Sequence, residues 1–199
     1  MWSRKIRRCL YILRGSIIIL ALSACVHVYD TPKSPVTGYP SVEKINLKVG
    51  LHLTEEFRQA KWERHRMGDT FRILLGETLS QNAEVVAREL FSEVVVADSN
   101  HALLGTGVGG ILTPKVIFVD RTWASTIVGL SVFTIMLEWK LEDLQGNIIW
   151  IDSIRGEGIK EQRDEEEQIR ATIDDLFHNS FSAISSSPEI REYATMRGR

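Results

Sequence analysis

Residues 44–54, KINLKVGLHLT, alternate without a break. Ile45, Leu47, Val49, Leu51 and Leu53 take every second position, and Lys44, Asn46, Lys48, Gly50, His52 and Thr54 take the others. Successive side chains of a strand point to opposite faces, so a period of two over this length specifies a strand with one buried face. Such a strand needs sheet neighbours and an apolar layer to cover it.

The chain supplies both. Leu75, Leu79, Ala83, Val86, Ala87 and Leu90 recur at helical spacing, and Ile169, Ile173, Leu176, Phe177, Phe181 and Ile184 do so again. Each set forms one apolar stripe of an amphipathic helix. Acidic residues from Asp164 to Glu167 favour the positive end of the second helix. Ser187-Pro188-Glu189 restarts a short helix, with Ser as cap and Pro at the first position. Strands are expected at 94–97, 115–123, 130–143 and 148–159, the last two joined by a tight turn at Leu144-Gln145-Gly146-Asn147. Gly156 and Gly158 mark a bulge or a close backbone approach. Residues 55–70 are rich in Glu, Arg, Lys and Gln and read as an exposed connection carrying Trp62, His65 and Met67. The expected fold is α+β, a mostly antiparallel sheet of about four strands in the order β-α-β-β-β-α, with two helices on one face.

Ahead of this domain the composition changes. Residues 1–24 contain Arg4, Lys5, Arg7, Arg8 and Arg14 and no acid, and Gly15 to Leu22 is apolar. A basic start, an apolar run and small residues (here Ser23 and Ala24) make the order of a secretory signal segment. The run is shorter than the ~20 residues a membrane-crossing helix needs. Arg7-Arg8 sits in surroundings that fit a twin-arginine export signal poorly. Leu22-Ser23-Ala24-Cys25 closes the segment and resembles the lipobox of bacterial lipoproteins. That resemblance implies that Cys25 becomes the lipidated first residue and that Cys9 leaves with the signal. Losing residues 1–24 removes five of 24 basic side chains and none of 26 acidic ones, leaving a net charge of −7. A chain this acidic is a poor nucleic-acid binder. In the lipoprotein family an Asp after the Cys favours the inner membrane; Val26 stands there instead, which leans towards the outer membrane.

The organisation expected is a signal segment over 1–24, an anchored, Pro-rich tether over 25–41, the α+β domain over 42–187 and a short helix or tail over 188–199. Pro32, Pro35, Pro40 and Gly38 favour an extended linker in the second part. Packing of the same stretch on the domain, through Tyr29 and Tyr39, is the other reading.

Motifs for chemistry are sparse. His27, His52, His65, His101 and His178 form no HExxH, and no second cysteine remains to share a metal site with Cys25. Gly105-Thr106-Gly107-Val108-Gly109-Gly110 is followed by a strand signal with Pro114, not by the helix a dinucleotide loop requires. Asp174-Asp175 and the acidic run before Gln168 read as a solvated face and a first helical turn. Trp123, Trp139 and Trp150 fall on strands, as core or as an interaction surface. No catalytic residue, cofactor or metal ligand is expected.

FRILLGETLSQNAE resembles the first helix entry of the YajG-type bacterial lipoproteins, IRGEGI the strand end before their last long helix, and IRATIDDLFHNSFSAISSSPEIREYATMRGR their C-terminus. The resemblance implies a lipid-anchored envelope protein. The element order is also similar to that of the lipopolysaccharide-assembly lipoprotein that plugs an outer-membrane barrel, and to auxiliary lipoproteins of lipid-transporting ABC systems. Two functions follow: a non-enzymatic adaptor that binds an envelope protein, or a lipid or lipopolysaccharide handler with an apolar groove.

Overall fold

The computed structural model describes residues 26–29, 31, 34–66, 69–103, 105–125, 130–161 and 165–197. The segment 1–24, expected to be a signal, and Cys25 lie outside them. The elements run β1 (Val26–Tyr29), β2 (Ile45–His52), α1 (Glu55–Arg58), β3 (Lys61–Arg66), β4 (Asp69–Leu74), α2 (Gly76–Leu90), β5 (Phe91–Ala97), α3 (Asn100–Leu103), β6 (Gly110–Ser125), β7 (Leu130–Glu142), β8 (Ile148–Glu161), α4 (Glu165–Ser186) and α5 (Pro188–Arg197).

The expected single sheet of four strands is incorrect. The described strands form a three-stranded sheet, β1-β4-β3, and a five-stranded sheet, β5-β2-β6-β7-β8, accompanied by five helices. The pairing is mixed: β2 runs parallel to both β5 and β6, and β1 runs parallel to β4. The second sheet was hidden because charge masks its period. Lys61 to Arg66 reads as exposed connection from its composition, yet it pairs antiparallel with Asp69–Leu74 from Lys61↔Leu74 to Arg66↔Asp69. Glu63 accepts from Arg72 Nε at 2.9 Å across that pair, so the charges sit on a strand by neutralising each other.

The long strands exceed their expected bounds. β6 starts at Gly110 and carries Pro114 within it. Pro114 is tolerated because β6 pairs with β2 only over Gly110–Leu112, leaving one neighbour, β7, beyond that point. The 143–147 turn closes through Asp143, whose carboxylate accepts from the backbone N–H of Gln145 and of Asn147, with Gly146 at φ 85°.

Every second residue of β7, namely Phe133, Ile135, Leu137, Trp139 and Leu141, is buried. Both expected helical stripes cover this row, and all twelve of their residues are buried in the same core. The fit is close at Gly156, where an added Cβ would stand 2.4 Å from Leu176 Cβ and 2.5 Å from Thr172 O. Only glycine lets α4 lie this near β8. Trp139 Nε1 donates to Ser180 Oγ at 3.0 Å, so its one polar atom is satisfied inside the core.

The stretch before β2 is packed as well. Val36 is buried and its N–H donates to Asn82 Oδ1 at 2.7 Å. Tyr39 stacks on Phe181 with ring centres 4.9 Å apart. At the other end, Ser187 Oγ accepts from Ile190 N at 3.3 Å as the cap of α5, and Tyr193 donates to Gly109 O at 2.6 Å.

Candidate functional site

The two sheets meet around a pocket of about 210 Å³ lined by Tyr29, Trp62, Arg64, Phe71, Ile73, Arg121 and Glu165. The registers Tyr29↔Ile73 and Trp62↔Ile73 put Tyr29, Ile73 and Trp62 on one face of the small sheet. His27, Phe71 and Arg64, two residues away on each strand, share it. Across the pocket stand Arg121 of β6 and Glu165 at the start of α4.

Arg121 Nη1 donates to Glu165 Oε1 at 2.6 Å, and the Arg121 side chain is only 12% exposed. Its Nη2 lies 3.4 Å from Ser131 Oγ. Ser131 donates to Gln168 Oε1 at 3.1 Å, and Gln168 Nε2 donates back to Ser131 O at 2.8 Å and to Gly158 O at 3.0 Å. Burial pushes the Tyr29 phenol up, and the charge and hydrogen bond of Glu165 add to that; Arg121 pulls the other way. Trp62 meets Phe133 edge-on with centres 6.2 Å apart, and His27 and Phe71 stack at 5.0 Å. The pocket is thus aromatic on one wall and ionic on the other. Arg121 and Glu165 form a direct charge-assisted hydrogen bond, an arrangement suited to positioning.

The opposite face of the small sheet carries Val26, Val28 and Leu74, all exposed, with Lys61, Glu63, His65, Thr70 and Arg72. A hydrogen bond from Arg72 is the main reason the Glu63 carboxyl is held below its ordinary value; Lys61 and His65 assist. A third surface is the face of the large sheet turned away from α2 and α4, where Phe118, Ile151 and Ile159 are exposed. A shallow groove between the start of β2 and α5 is lined by Lys44, Asn46, Arg191 and Thr195 among others.

The histidines are dispersed. His27 is on β1, His52 ends β2, His65 is on β3, His101 is on α3 and His178 is on α4. Neither pocket is lined by one. Among the described residues no group of three or more His, Cys, Asp and Glu is placed to hold a metal ion. The glycine-rich loop has Gly105 and Gly107 at positive φ and seals Leu103, Val108 and Ile111 into a small second core. Asp175 serves the fold: its carboxylate accepts from Glu157 N at 2.9 Å, while Asn179 Nδ2 donates to Arg155 O at 3.1 Å. These two side chains of α4 cap backbone groups on β8, the edge strand of the large sheet, which blunts it against pairing with another chain. Trp139 is core and Trp150 half-buried; the Trp123 side chain and Asp164 lie outside the described residues.

Sequence reading missed the Arg121–Glu165–Ser131–Gln168 network because its members are 37–44 residues apart across the pairs that matter. Trp62 and Arg64, with Phe71 and Ile73, carried a faint period-two signal that could have revealed the small sheet.

No family model matches the chain, and no curated protein does. Among solved structures, protein XCC0632 from Xanthomonas campestris, described under the DUF330 family model, is similar with a TM-score of 0.53 at 11% identity, over 85% of this chain and 99% of that one. A minor lipoprotein from Acinetobacter baumannii overlaps at a TM-score of 0.42 and 14% identity, over 71% of this chain and 94% of that one. Lipoprotein GNA1162 from Neisseria meningitidis overlaps at 0.38 and 10%, over 71% and 99%. The likeness reaches small bacterial proteins of this broad kind without singling out the YajG type, and what the chain shares with XCC0632 is its fold.

Proposed function

We propose that the chain is a lipid-anchored envelope protein, a non-enzymatic adaptor held at the periplasmic side of the outer membrane by Cys25. The observation that carries this reading is Leu22-Ser23-Ala24-Cys25 closing a basic and then apolar segment. Two or more acyl chains give stable anchoring, because each buried CH₂ contributes about 0.8 kcal/mol. An adaptor needs a surface for a protein partner, and the open face of the large sheet offers Phe118, Ile151 and Ile159. These apolar side chains share one face with Lys140, Arg155 and Glu157 between them, a mixed surface of the kind a protein partner contacts.

A lipid handler would need an apolar groove between sheet and helices. Phe133, Leu137, Trp139, Leu176 and Phe177 fill that interface. The adaptor reading therefore stands ahead of it. Cys25→Ser is expected to leave an unprocessed or mislocalised protein that takes up no palmitate; unchanged labelling would refute anchoring at this residue. Crosslinking in the native envelope through Phe118 or Ile159 should capture a defined protein partner, and recovery of lipid alone would favour the handler.

A further inference from the structure

Strand β1 begins at Val26, the residue directly after Cys25. A lipidated Cys25 leaves no linker between the acyl chains and the folded sheet. An extended chain spans at most about 3.6 Å per residue, so Val28 lies within about 11 Å of the anchored residue. The polar layer on each side of a bilayer is itself roughly 5–8 Å deep. Strand β1 must therefore sit at the headgroups.

The small sheet has two faces to offer. One, with Tyr29, Trp62, Phe71 and Ile73, is turned inward over Arg121 and Glu165. The other presents Val26, Val28 and Leu74, each about half exposed, beside Lys61 and Arg72. Its one carboxylate, Glu63, is shared by Arg72 at 2.9 Å and Lys61 at 3.6 Å, so the face carries one more permanent cation than carboxylate. Apolar side chains flanked by a net positive charge are the complement of an anionic lipid surface. We infer that the outward face of the β1-β4-β3 sheet docks on a phospholipid bilayer carrying anionic headgroups. Cys25 anchors the protein, and Val26, Val28, Leu74 and Lys61 fix its orientation. Trp62 of the small sheet meets Phe133 of β7, so the 143–147 turn lies at the end of β7 remote from the docked sheet. From Phe133 to Asp143 the strand direction covers ten residues, or about 33 Å, so the open face with Phe118 and Ile151 remains accessible to a protein partner.

This inference rests on the anchor reading of Cys25, and its test separates the two. The mature lipidated chain is prepared as Val28→Cys, Leu74→Cys and Leu144→Cys, each with an environment-sensitive fluorophore. Each is placed in phosphatidylethanolamine–phosphatidylglycerol vesicles containing spin-labelled lipid. Severalfold stronger quenching at positions 28 and 74 than at 144 is expected. If one variant fails to fold, the other reads the same face from a different strand. A chain that carries palmitate and binds the vesicles, but is quenched equally or not at all at the three positions, overturns the docking and leaves the anchor standing. Lack of palmitate on Cys25 overturns both. Labels at 28 and 74 already buried without vesicles would mark a second copy of the chain as occupant and also overturn the docking.

Discussion

The large sheet and the small sheet solve the same packing problem with different materials. On β7 the inward row from Phe133 to Leu141 is aliphatic or aromatic, and α2 and α4 close over it, with Trp139 donating to Ser180 inside the core. The small sheet has an inward face of aromatics over an Arg–Glu pair and an outward face of Lys61, Glu63 and Arg72 with three exposed aliphatics. Burial of apolar area stabilises at roughly 25 cal/mol per Å², whereas exposed ion pairs contribute little. The large sheet is therefore the stable unit, and the small sheet is free to devote its side chains to a surface. The largest test of this contrast is Phe177→Ala against Phe71→Ala. Phe177 is fully buried, and its truncation should cost about 3–5 kcal/mol in chemical denaturation. Phe71 is partly exposed and should cost about half of that or less. Equal losses would remove the distinction.

The second test strikes the closest contact of the large sheet. Gly156→Ala sets a methyl group 2.4 Å from Leu176 Cβ and 2.5 Å from Thr172 O, so α4 has to shift. Overpacking of this kind should cost about 1–3 kcal/mol, read as a lower denaturation midpoint. An unchanged midpoint would mean that α4 rides loosely on β8.

What could be read from the sequence follows the same division. Leu79, Val86, Phe177 and Ile184 announce their helices because burial of a stripe imposes a period on the sequence, and Leu47 and Val49 announce β2 for the same reason. Gly156 and Gly158 announced a close approach, though not its partner. The small sheet was missed because its strands alternate charge with aromatic residues, and a cross-strand pair such as Glu63 with Arg72 leaves no periodic trace. The parallel pairing of β2 with β5 was missed because strand order depends on contacts between distant segments. The Arg121–Glu165 contact joins residues that nothing in the chain marks as partners. The resemblance of Leu22-Ser23-Ala24-Cys25 to a lipobox is legible by itself, whereas the proposed orienting role draws on the placement of β1 from Val26.

A third test addresses the Trp139–Ser180 contact inside the central core. Ser180→Ala leaves the Trp139 N–H buried without its acceptor, which should cost about 1–3 kcal/mol. Trp139→Phe in the same background removes the stranded donor, so the double variant should lose less than the two single losses added together. Additive losses would show that the hydrogen bond does not couple the two residues.

The smallest expected effect concerns Tyr39, which decides whether the stretch before β2 belongs with the stable unit. Its ring stacks on Phe181 and tilts on His178, and its hydroxyl is buried with no hydrogen-bond partner among the described residues. Burial first, then the charges of Asp174 and Glu89, push the phenol well above its ordinary value. Above about pH 10 the unfolded chain releases this proton while the folded chain keeps it. The stability that the neutral phenol contributes is therefore complete below that value and declines as the pH climbs past it. Tyr39→Phe keeps the ring stack and removes both the unsatisfied hydroxyl and the titration. Stability at neutral pH should stay level or rise by up to about 1 kcal/mol, and the alkaline decline should become shallower, with the remainder assigned to Tyr29, whose phenol is raised in the same direction. A clear loss at neutral pH would reveal a partner for the hydroxyl. An unchanged alkaline slope would mean that Tyr39 ionises freely and that this stretch lies loosely on α4.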